Sequence, residues 1–444
     1  MAIAVAPATA PRALTPLGRI ELLCDPHSVH AIRSQVGDGV VGAAGRVDGR
    51  PVFAYAQDSS FAGGSLGTAH ADTILRVMQL AERAEAPVVG FVESAGARMQ
   101  EGLAALGGFG RIFSANVALS GRVPQISVVT GVSAGGGCYS PALTDFVVMV
   151  EGASMFLTGP GVVREAIGED VTAAALGGTR VHERNGVCDL VAADVPDATE
   201  LTRALLSFLS QRAAAPLPAP PGDPGRFVPQ APRKTYNVRD VVRSFADAAD
   251  FLELAPRWAR NIVTGFCRIE GRAVAVVANQ PRHLGGVIDS AASEKAARFV
   301  RTCSSFGLPL VVLVDTPGFM PGVSQESAGV IRHGASLLRA FSEARVPRLT
   351  VVLRKAYGGA YITMNSKDLG AHLAFAWPGA ELGVMAARQA VGIIHRREPE
   401  LDELADRYAS EHLGAEVAAR KGFVDEVIAP AETRERLAWG LATL

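Results

Sequence analysis

Residues 130–139 read Thr-Gly-Val-Ser-Ala-Gly-Gly-Gly-Cys-Tyr and follow Gln125–Val129, an apolar run that is typical of a β-strand. The consecutive glycines predict a sharp turn from this strand into a helix. Glycine accepts positive φ angles and lets a ligand approach the backbone closely. The free N–H groups at a helix start can bind a carbonyl oxygen that gains negative charge, as in an oxyanion hole. A tight packing turn without a chemical role is the alternative that this stretch leaves open.

The chain contains the same pattern a second time. Residues 355–361 read Lys-Ala-Tyr-Gly-Gly-Ala-Tyr and follow another β-type run, 349–353. The surroundings repeat as well, because 45–53 matches 267–275 and 87–96 matches 309–318, both with an offset of 222 residues. We therefore predict a duplicated α/β domain with one candidate oxyanion hole in each half.

Composition indicates two domains joined by a linker. A chain of 444 residues can form two sizeable cores. The proline-rich segment 212–233 disfavours helix and central strand and separates the repeats. We predict a disordered tail over 1–16, an N-terminal domain over 17–211 and a C-terminal domain over 234–444. Within the first domain, Asp72 is expected to cap a helix that buries Ile74 and Val77.

Several function classes are disfavoured. The net charge of −1 gives no basic field for nucleic acid or membrane, and no apolar run approaches the length of a membrane span. The five scattered cysteines suggest reduced thiols in a cytoplasmic protein and no zinc site. Phosphate-loop, serine-hydrolase and zinc-protease motifs are absent from the sequence. Neither glycine turn has an evident side-chain base, so we expect a substrate or cofactor to supply the base.

The two halves resemble the N- and C-terminal carboxyltransferase domains of biotin-dependent acyl-CoA carboxylases, specifically the β subunits of the propionyl-CoA/acetyl-CoA type. The matching stretches include Arg-Ile-Glu-Leu-Leu at 19–23, Gly-Ala-Arg-Met-Gln-Glu-Gly at 96–102, the glycine turn and its helix at 135–145, Asp-Thr-Pro-Gly-Phe at 315–319, Ile-Arg-His-Gly at 331–334 and Arg-Lys-Ala-Tyr-Gly-Gly-Ala-Tyr at 354–361. The resemblance implies two tandem crotonase-like domains, each a spiral of ββα units. It also implies a hexamer built from dimers, with each active site between the N-domain of one subunit and the C-domain of another. The expected partners are further copies of the chain and a biotin carboxylase or biotin carboxyl carrier subunit.

The resemblance also implies a mechanism without a side-chain base or a metal. Amides of Gly135 and Gly136 would hold the thioester oxygen of an acyl-CoA enolate, and amides of Gly359 and Ala360 would hold the ureido oxygen of biotin. Gly358 would join these two residues in binding biotin. The ureido nitrogen, freed when carboxybiotin gives up its carboxyl group, would take the α-proton. The assignment of each hole to one reactant rests on the resemblance alone.

Four further residues are expected to bind the acyl substrate: Ala97, Arg98, Tyr139 and Ile362. Arg98 could hold an anionic group such as a phosphate, and a solvated arginine at a helix start is the alternative. Ile362 stands where propionyl-type enzymes usually carry aspartate, so we expect a shift from strict propionyl preference toward longer acyl chains. A narrower pocket that favours acetyl groups, and simple packing of Ile362 inside its helix, are the alternatives.

Three functional classes remain open at this point. Carboxyl transfer from carboxybiotin to an acyl-CoA thioester is the preferred hypothesis. A decarboxylase of the same fold would use the same two holes in the opposite direction. A non-catalytic scaffold subunit is the third class, and the intact glycine turns in both halves argue against it.

Overall fold

The computed structural model describes residues 14–210, 213–231, 234–395 and 401–444. The chain divides into two compact units: the described residues up to His182 with Val187–Leu206, and Glu183–Gly186 with the residues from Ser207 onward. Most of the predicted tail lies outside the described residues, and its last residue, Pro16, begins the first helix. No helix of the described residues is long and apolar enough to cross a membrane.

Sixteen strands are formed by the described residues. They are β1 His30–Ile32, β2 Val40–Val47, β3 Arg50–Gln57, β4 Val88–Ser94, β5 Gln125–Ala134, β6 Phe146–Val150, β7 Ser154–Phe156, β8 Leu190–Ala192, β9 Leu252–Leu254, β10 Ile262–Ile269, β11 Arg272–Asn279, β12 Leu310–Thr316, β13 Arg348–Tyr357, β14 Leu373–Ala376, β15 Glu381–Gly383 and β16 Glu426–Val427.

The same residues form seventeen α-helices. They are α1 Pro16–Leu23, α2 Thr68–Ala84, α3 Leu103–Leu119, α4 Gly136–Leu143, α5 Pro160–Ile167, α6 Ala173–Gly177, α7 Thr179–Asn185, α8 Val195–Leu209, α9 Val238–Phe245, α10 Ser290–Ser305, α11 Val323–Ser327, α12 Val330–Glu343, α13 Gly358–Thr363, α14 Ala387–Ile394, α15 Leu401–Tyr408, α16 Ala415–Arg420 and α17 Thr433–Thr443.

The two units have the same sheet topology. The first sheet has eight strands in the order β1-β2-β3-β4-β5-β6-β8, with β7 on β5, and the second has β9-β10-β11-β12-β13-β14-β16, with β15 on β13. In each sheet the first three strands pair antiparallel and the others pair parallel. Helices connect the parallel strands, as parallel pairing requires. The predicted internal duplication therefore extends to the whole fold.

Even an irregularity of the sheet is repeated. Between β4 and β5, Val92 pairs with Val129 but Ser94 pairs with Ser133, so β5 contains extra residues before its end. Between β12 and β13, Val314 pairs with Val352 and Thr316 with Ala356, which is the same shift. Bulges of this kind redirect a strand and are frequent next to active sites. In both units the redirected strand end leads directly into the glycine turn.

Burial follows from the sequence pattern. Strand β12 is buried along its whole length, as a continuous apolar run in a parallel sheet should be. Helix α2 buries Ile74 and Val77, as its helical periodicity predicts. It begins at Thr68, however, so Asp72 is not its N-cap; Asp72 forms an ion pair with Arg111. The described part of the linker contains only a short 3₁₀ turn, Pro224–Phe227.

Candidate active site

The first glycine turn lies where two neighbouring parallel strands end. Strands β4 and β5 place their carboxyl ends at the same edge of the sheet, where α/β proteins commonly bind ligands. Gly135 has a φ of 56° and turns the chain from β5 into α4. Gly96, in the loop after β4, has a φ of 98°, and a Cβ atom there would lie 3.3 Å from the carbonyl oxygen of Ala134. The loop after β4 therefore contacts the end of β5.

Two amides at this edge are suited to hold an oxygen. Gly136 is the first residue of α4 and is partly exposed, and an N–H at this position has no partner within its helix. Both neighbours of Ala97 are paired with Leu66. The N–H of Leu66 donates to the carbonyl oxygen of Gly96 (2.8 Å), and the N–H of Arg98 donates to the carbonyl oxygen of Leu66 (2.9 Å). Among the described residues, the Ala97 amide itself has no hydrogen-bond partner. We call the amides of Ala97 and Gly136 the first hole.

Gly135 must be removed from the expected donors. Its N–H donates to the carbonyl oxygen of Phe156 at 3.0 Å, within the pairing of β5 with β7. A backbone donor that is already used in the sheet is not available to a substrate. Gly135 instead supplies the positive φ that the turn needs.

The second glycine turn has the same construction 223 residues later, at Gly358 with a φ of 60°. Gly318 has a φ of 141° and corresponds to Gly96. Its neighbour Phe319 corresponds to Ala97, and the Phe319 amide also lacks a hydrogen-bond partner among the described residues. Gly359, the second residue of α13, is exposed. We call the amides of Phe319 and Gly359 the second hole.

Ala360 does not fit its expected role in this structure. The residue is 0% exposed, whereas Gly358 is partly exposed and Gly359 is exposed. A ligand cannot contact an amide that its own chain covers completely. The amides that can reach a ligand at this turn are therefore those of the two glycines.

An exposed apolar rim borders each hole. Tyr139 on α4 and Ile362 on α13 occupy equivalent positions of the duplication and are 50% and 46% exposed. Leu157 follows β7 and Val384 follows β15, and they are 56% and 73% exposed. Ile362 is therefore not simply packed inside its helix, and both expected substrate-binding side chains are accessible.

Arg98 does not have a free guanidinium group. It forms ion pairs with Asp38 and with Glu101 (3.0 Å to the latter) and donates to the carbonyl oxygen of Ser65 at 2.8 Å. Its side chain is only 12% exposed. The expectation that Arg98 holds an anionic substrate group is therefore contradicted, and so is the alternative of a solvated arginine.

Sequence reasoning missed a charged cluster beside the second hole. Lys355 on β13 pairs in register with Glu381 on β15, and the hydroxyl of Tyr357 donates to the Glu381 carboxylate. Burial raises the pKa of Tyr357, and the negative charge of Glu381 raises it further. Burial lowers the pKa of Lys355. The short strand β15 brings these groups together, and no sequence motif marked it.

The described residues contain no group of three or more histidine, cysteine, aspartate or glutamate side chains that could hold a metal ion. His70 is fully buried in the first unit, and burial lowers its pKa to about 4. Its Nε2 lies 3.1 Å from Nε2 of Gln57, whose Oε1 accepts from the backbone of Glu93 (2.9 Å). His70 is thus a neutral core histidine.

Curated relatives resemble the chain over most of its length. The carboxyltransferase subunit of propionyl-CoA carboxylase from Haloferax mediterranei is 48% identical over 420 residues, which cover 90% of this chain and 81% of that protein. The α subunit of methylmalonyl-CoA decarboxylase from Veillonella parvula is 45% identical over 419 residues, covering 92% and 82%. The β5 subunit of the biotin-dependent acetyl-/propionyl-coenzyme A carboxylase from Mycobacterium tuberculosis is 44% identical over 439 residues, covering 92% and 80%.

A solved structure supports the same relationship. A chain of the transcarboxylase 12S hexamer, solved with methylmalonyl-coenzyme A and methylmalonic acid bound, superposes on this chain with a TM-score of 0.93. The two chains are 44% identical, and the match covers 97% of this chain and 89% of that one. The predicted crotonase-like fold with two tandem domains is thereby confirmed. The profile of the carboxyl transferase domain matches residues 15–444. The chain therefore belongs to the carboxyl transferase domain family.

Proposed function

We propose that this chain transfers a carboxyl group between biotin, carried by a partner protein, and the α-carbon of an acyl-CoA thioester. The duplicated pair of amide-lined holes is the observation that carries this proposal. A thioester enolate and a ureido group each concentrate negative charge on one oxygen during such a transfer. Two holes with the same backbone construction match two such oxygens.

The first hole is assigned to the thioester. When the α-carbon becomes nucleophilic, charge moves to the thioester oxygen, and the amides of Ala97 and Gly136 stabilise it there. One donor of this kind contributes roughly 3–4 kcal/mol to the stability of the transition state. Tyr139 and Leu157 supply an apolar border next to this hole.

The second hole is assigned to the ureido oxygen of biotin. Its residues fit that group, because Gly359 is exposed, the Phe319 amide is unpaired among the described residues, and a neutral urea needs donors rather than a charged base. When bound, carboxybiotin supplies the carboxyl group and, after giving it up, a nitrogen that can accept the α-proton. The protein's residues then orient two reactants and stabilise two oxygens, and no side chain has to transfer a proton.

A decarboxylase is the second candidate. The 45% identity with the methylmalonyl-CoA decarboxylase α subunit favours it specifically. Loss of CO₂ from a malonyl-type thioester produces the same enolate, so the first hole would serve both reactions equally. A scaffold role is disfavoured because both holes retain accessible amides.

The assembly proposed for the chain is a hexamer built from dimers, like the transcarboxylase 12S hexamer. Each active site would combine the first hole of one subunit with the second hole of another. A biotin carboxylase or biotin carboxyl carrier subunit is the proposed further partner, and the five buried free cysteines fit a cytoplasmic location. Light scattering should detect an oligomer at activity-assay concentrations, and an active monomer would contradict this arrangement.

The proposed acyl preference rests on the accessible Ile362. An apolar side chain there favours acyl tails longer than propionyl, because it adds apolar surface and no carboxylate has to lose its hydration. The competing expectation is a narrower site that prefers acetyl groups. The shape of the assembled site decides between a preference for longer acyl tails and a preference for acetyl groups.

One set of assays separates these possibilities. Purified protein is incubated with malonyl-, methylmalonyl- and ethylmalonyl-CoA, each with and without biocytin as the carboxyl acceptor. A carboxyltransferase forms carboxybiocytin in proportion to the acyl-CoA product, whereas a decarboxylase releases CO₂ regardless of biocytin. Protein that binds an acyl-CoA but performs neither reaction, even with a biotin carboxylase subunit added, would indicate a scaffold.

A further inference from the structure

In the first unit, one arginine joins the carboxyl ends of three neighbouring strands. Arg19 of α1 forms an ion pair with Glu93 on β4 (Nη2 to Oε2, 3.0 Å). It also donates to the hydroxyl of Thr130 on β5 (3.1 Å) and to the carbonyl oxygen of Gln57 at the end of β3 (3.4 Å). The ion pair is mostly buried, with side chains 12% and 20% exposed. Strands β4 and β5 continue from these contacts directly into the first hole.

The second unit has a carboxylate at the equivalent position. Asp315 follows Glu93 by 222 residues and lies at the end of β12, where it pairs with Arg354 (Nε to Oδ2, 3.1 Å). The two side chains are 1% and 10% exposed. Arg354 also donates to the carbonyl oxygen of Lys234 (2.9 Å), and its guanidinium lies 5.2 Å from the ring centre of Tyr236. Burial raises the pKa of Asp315, and the charge of Arg354 counteracts this rise.

The two arginines do not correspond to each other in the duplication. Helices α1 and α9 match residue by residue, so the counterpart of Arg19 is Val241, a core residue that is 0% exposed. The counterpart of Arg354 in β5 is Gly131. A Cβ atom at Gly131 would lie 2.6 Å from Oε1 of Glu93, so a side chain there would displace the carboxylate. Each half therefore has a carboxylate–arginine pair at the same place, but the arginine comes from a helix in one half and from a strand in the other. Duplication of an ancestral pair does not explain this difference.

The position of these pairs affects the chemistry of each hole. A buried carboxylate behind a loop whose amides receive negative charge would repel that charge, and the repulsion is strong where the local dielectric is low. A guanidinium bound to the carboxylate cancels this repulsion. Its hydrogen bonds also fix the strand ends from which the donors extend, and small displacements of donors are costly to catalysis.

We propose that Arg19 and Arg354 are positioning residues, each acting through its carboxylate on the hole of its own half. This inference rests on the proposed function, with the first hole for the thioester oxygen and the second for the ureido oxygen. Arg19 should then influence every reaction that forms the enolate. Arg354 should influence the steps that involve biotin and have much less effect on loss of CO₂ from the acyl substrate.

The test compares two reactions of the same oligomeric protein. Methylmalonyl-CoA is supplied with biocytin to measure carboxylation of biocytin, and without it to measure decarboxylation. Arg354→Met should lower biocytin carboxylation about 10²-fold and change the ratio of the two rates by a similar factor. Arg19→Met should lower both rates together, so that their ratio stays within about threefold. Arg239→Met removes a similarly buried ion pair with Glu253, on the edge strand β9, and serves as the matched control.

A double variant addresses the charge itself. Arg354→Met leaves the Asp315 carboxylate unpaired, and Arg354→Met/Asp315→Asn removes that charge as well. The double variant should recover at least tenfold of the lost carboxylation, because it removes the buried charge that the single variant leaves without its partner. A purely structural role predicts neither the change in ratio nor the recovery in the double variant.

The outcomes distinguish this inference from the function on which it rests. If the parent performs neither reaction, the proposed function is overturned and this inference with it. If the parent is active but both arginine variants match Arg239→Met, or if Arg354→Met lowers the two rates by equal factors, only the positioning roles are overturned. Melting temperatures of all variants identify any that fail to fold, and the double variant then decides the result for Arg354.

Discussion

Gly359 offers the cleanest test of the second hole, because the N–H group can be removed there with little other change. A Cβ atom at this position would lie 3.8 Å from Cε2 of Phe319, which is ordinary van der Waals contact, so Gly359→Ala should fold normally. Gly359→Pro adds the same Cβ atom but deletes the N–H. Proline is well tolerated in the first turn of a helix, where the N–H has no helical partner. The preceding residue, Gly358, has a φ of 60° and has no Cβ atom to clash with the proline ring.

The two variants should therefore differ mainly by one hydrogen-bond donor. Loss of one oxyanion donor typically costs 10²–10³-fold in turnover, or about 2.7–4 kcal/mol, and we expect this difference between Gly359→Pro and Gly359→Ala in biocytin carboxylation. Initial rates are measured at saturating methylmalonyl-CoA, and circular dichroism and melting temperature verify the fold. A proline variant that folds and stays within threefold of the alanine variant would refute the assignment of this amide to an oxyanion.

Three further predictions follow from the same geometry. Gly136→Pro should be about 10²–10³-fold slower than Gly136→Ala in both carboxylation and decarboxylation. A Cβ atom at this position would lie 2.8 Å from the ring of Phe109, so both variants are made together with Phe109→Leu. Equal rates for the two variants would contradict the role of the Gly136 amide in the first hole. Ile362→Asp should lower kcat/KM for longer acyl groups, relative to kcat/KM for propionyl, by about tenfold. If the parent and this variant rank a series of acyl-CoA substrates identically, Ile362 does not set specificity. Burial lowers the pKa of His70 to about 4 from its ordinary 6.5, so below pH 6.5 the unfolded chain binds a proton that the folded chain does not. The contribution of His70 to the free energy of unfolding should therefore be fully present above pH 6.5 and fall by up to about 3 kcal/mol as pH drops toward 4, and His70→Leu should reduce this slope in urea titrations.

The fold was predictable because the sequence pattern that indicates it occurs twice in the chain. Two glycine turns after β-type runs, with flanking segments at a fixed offset, indicated a duplication, and the two sheets have the same topology. The availability of individual amides was not predictable. Gly135 is used by β7, a strand of three residues without a recognisable pattern, and Ala360 is covered by packing. Both facts depend on tertiary pairing, which local sequence does not specify.

Contacts between residues far apart in the sequence also explain why the predictions for Asp72 and Arg98 were wrong. Asp72 has the residue type of an N-cap, but the helix starts at Thr68, whose N–H donates to the distant Glu101 at 2.7 Å. Arg98 has the residue type of a phosphate ligand, but Asp38 and Glu101 already occupy it. A residue type shows what a side chain can bind, and only the three-dimensional arrangement shows whether a partner within the protein has bound it first.

The duplication also explains how one fold can serve two unlike reactants. The backbone supplies each half with a positive-φ glycine, a helix start and an unpaired amide, and these elements recognise a partly negative oxygen without regard to the rest of the molecule. The side chains differ. Where the second half places Lys355 opposite Glu381, the first half has Val132 opposite Ser154, and the position of Tyr357 is taken by Ala134. The uncharged strand pair β5/β7 beside the first hole suits a thioester with an apolar acyl tail, and the charged, hydrogen-bonded strand pair β13/β15 beside the second suits a polar ureido ring and the carboxyl group it carries. The shared backbone thus fits the oxyanion stabilisation proposed at both sites, and the divergent side chains support the proposed assignment of the first hole to the acyl group and the second to biotin.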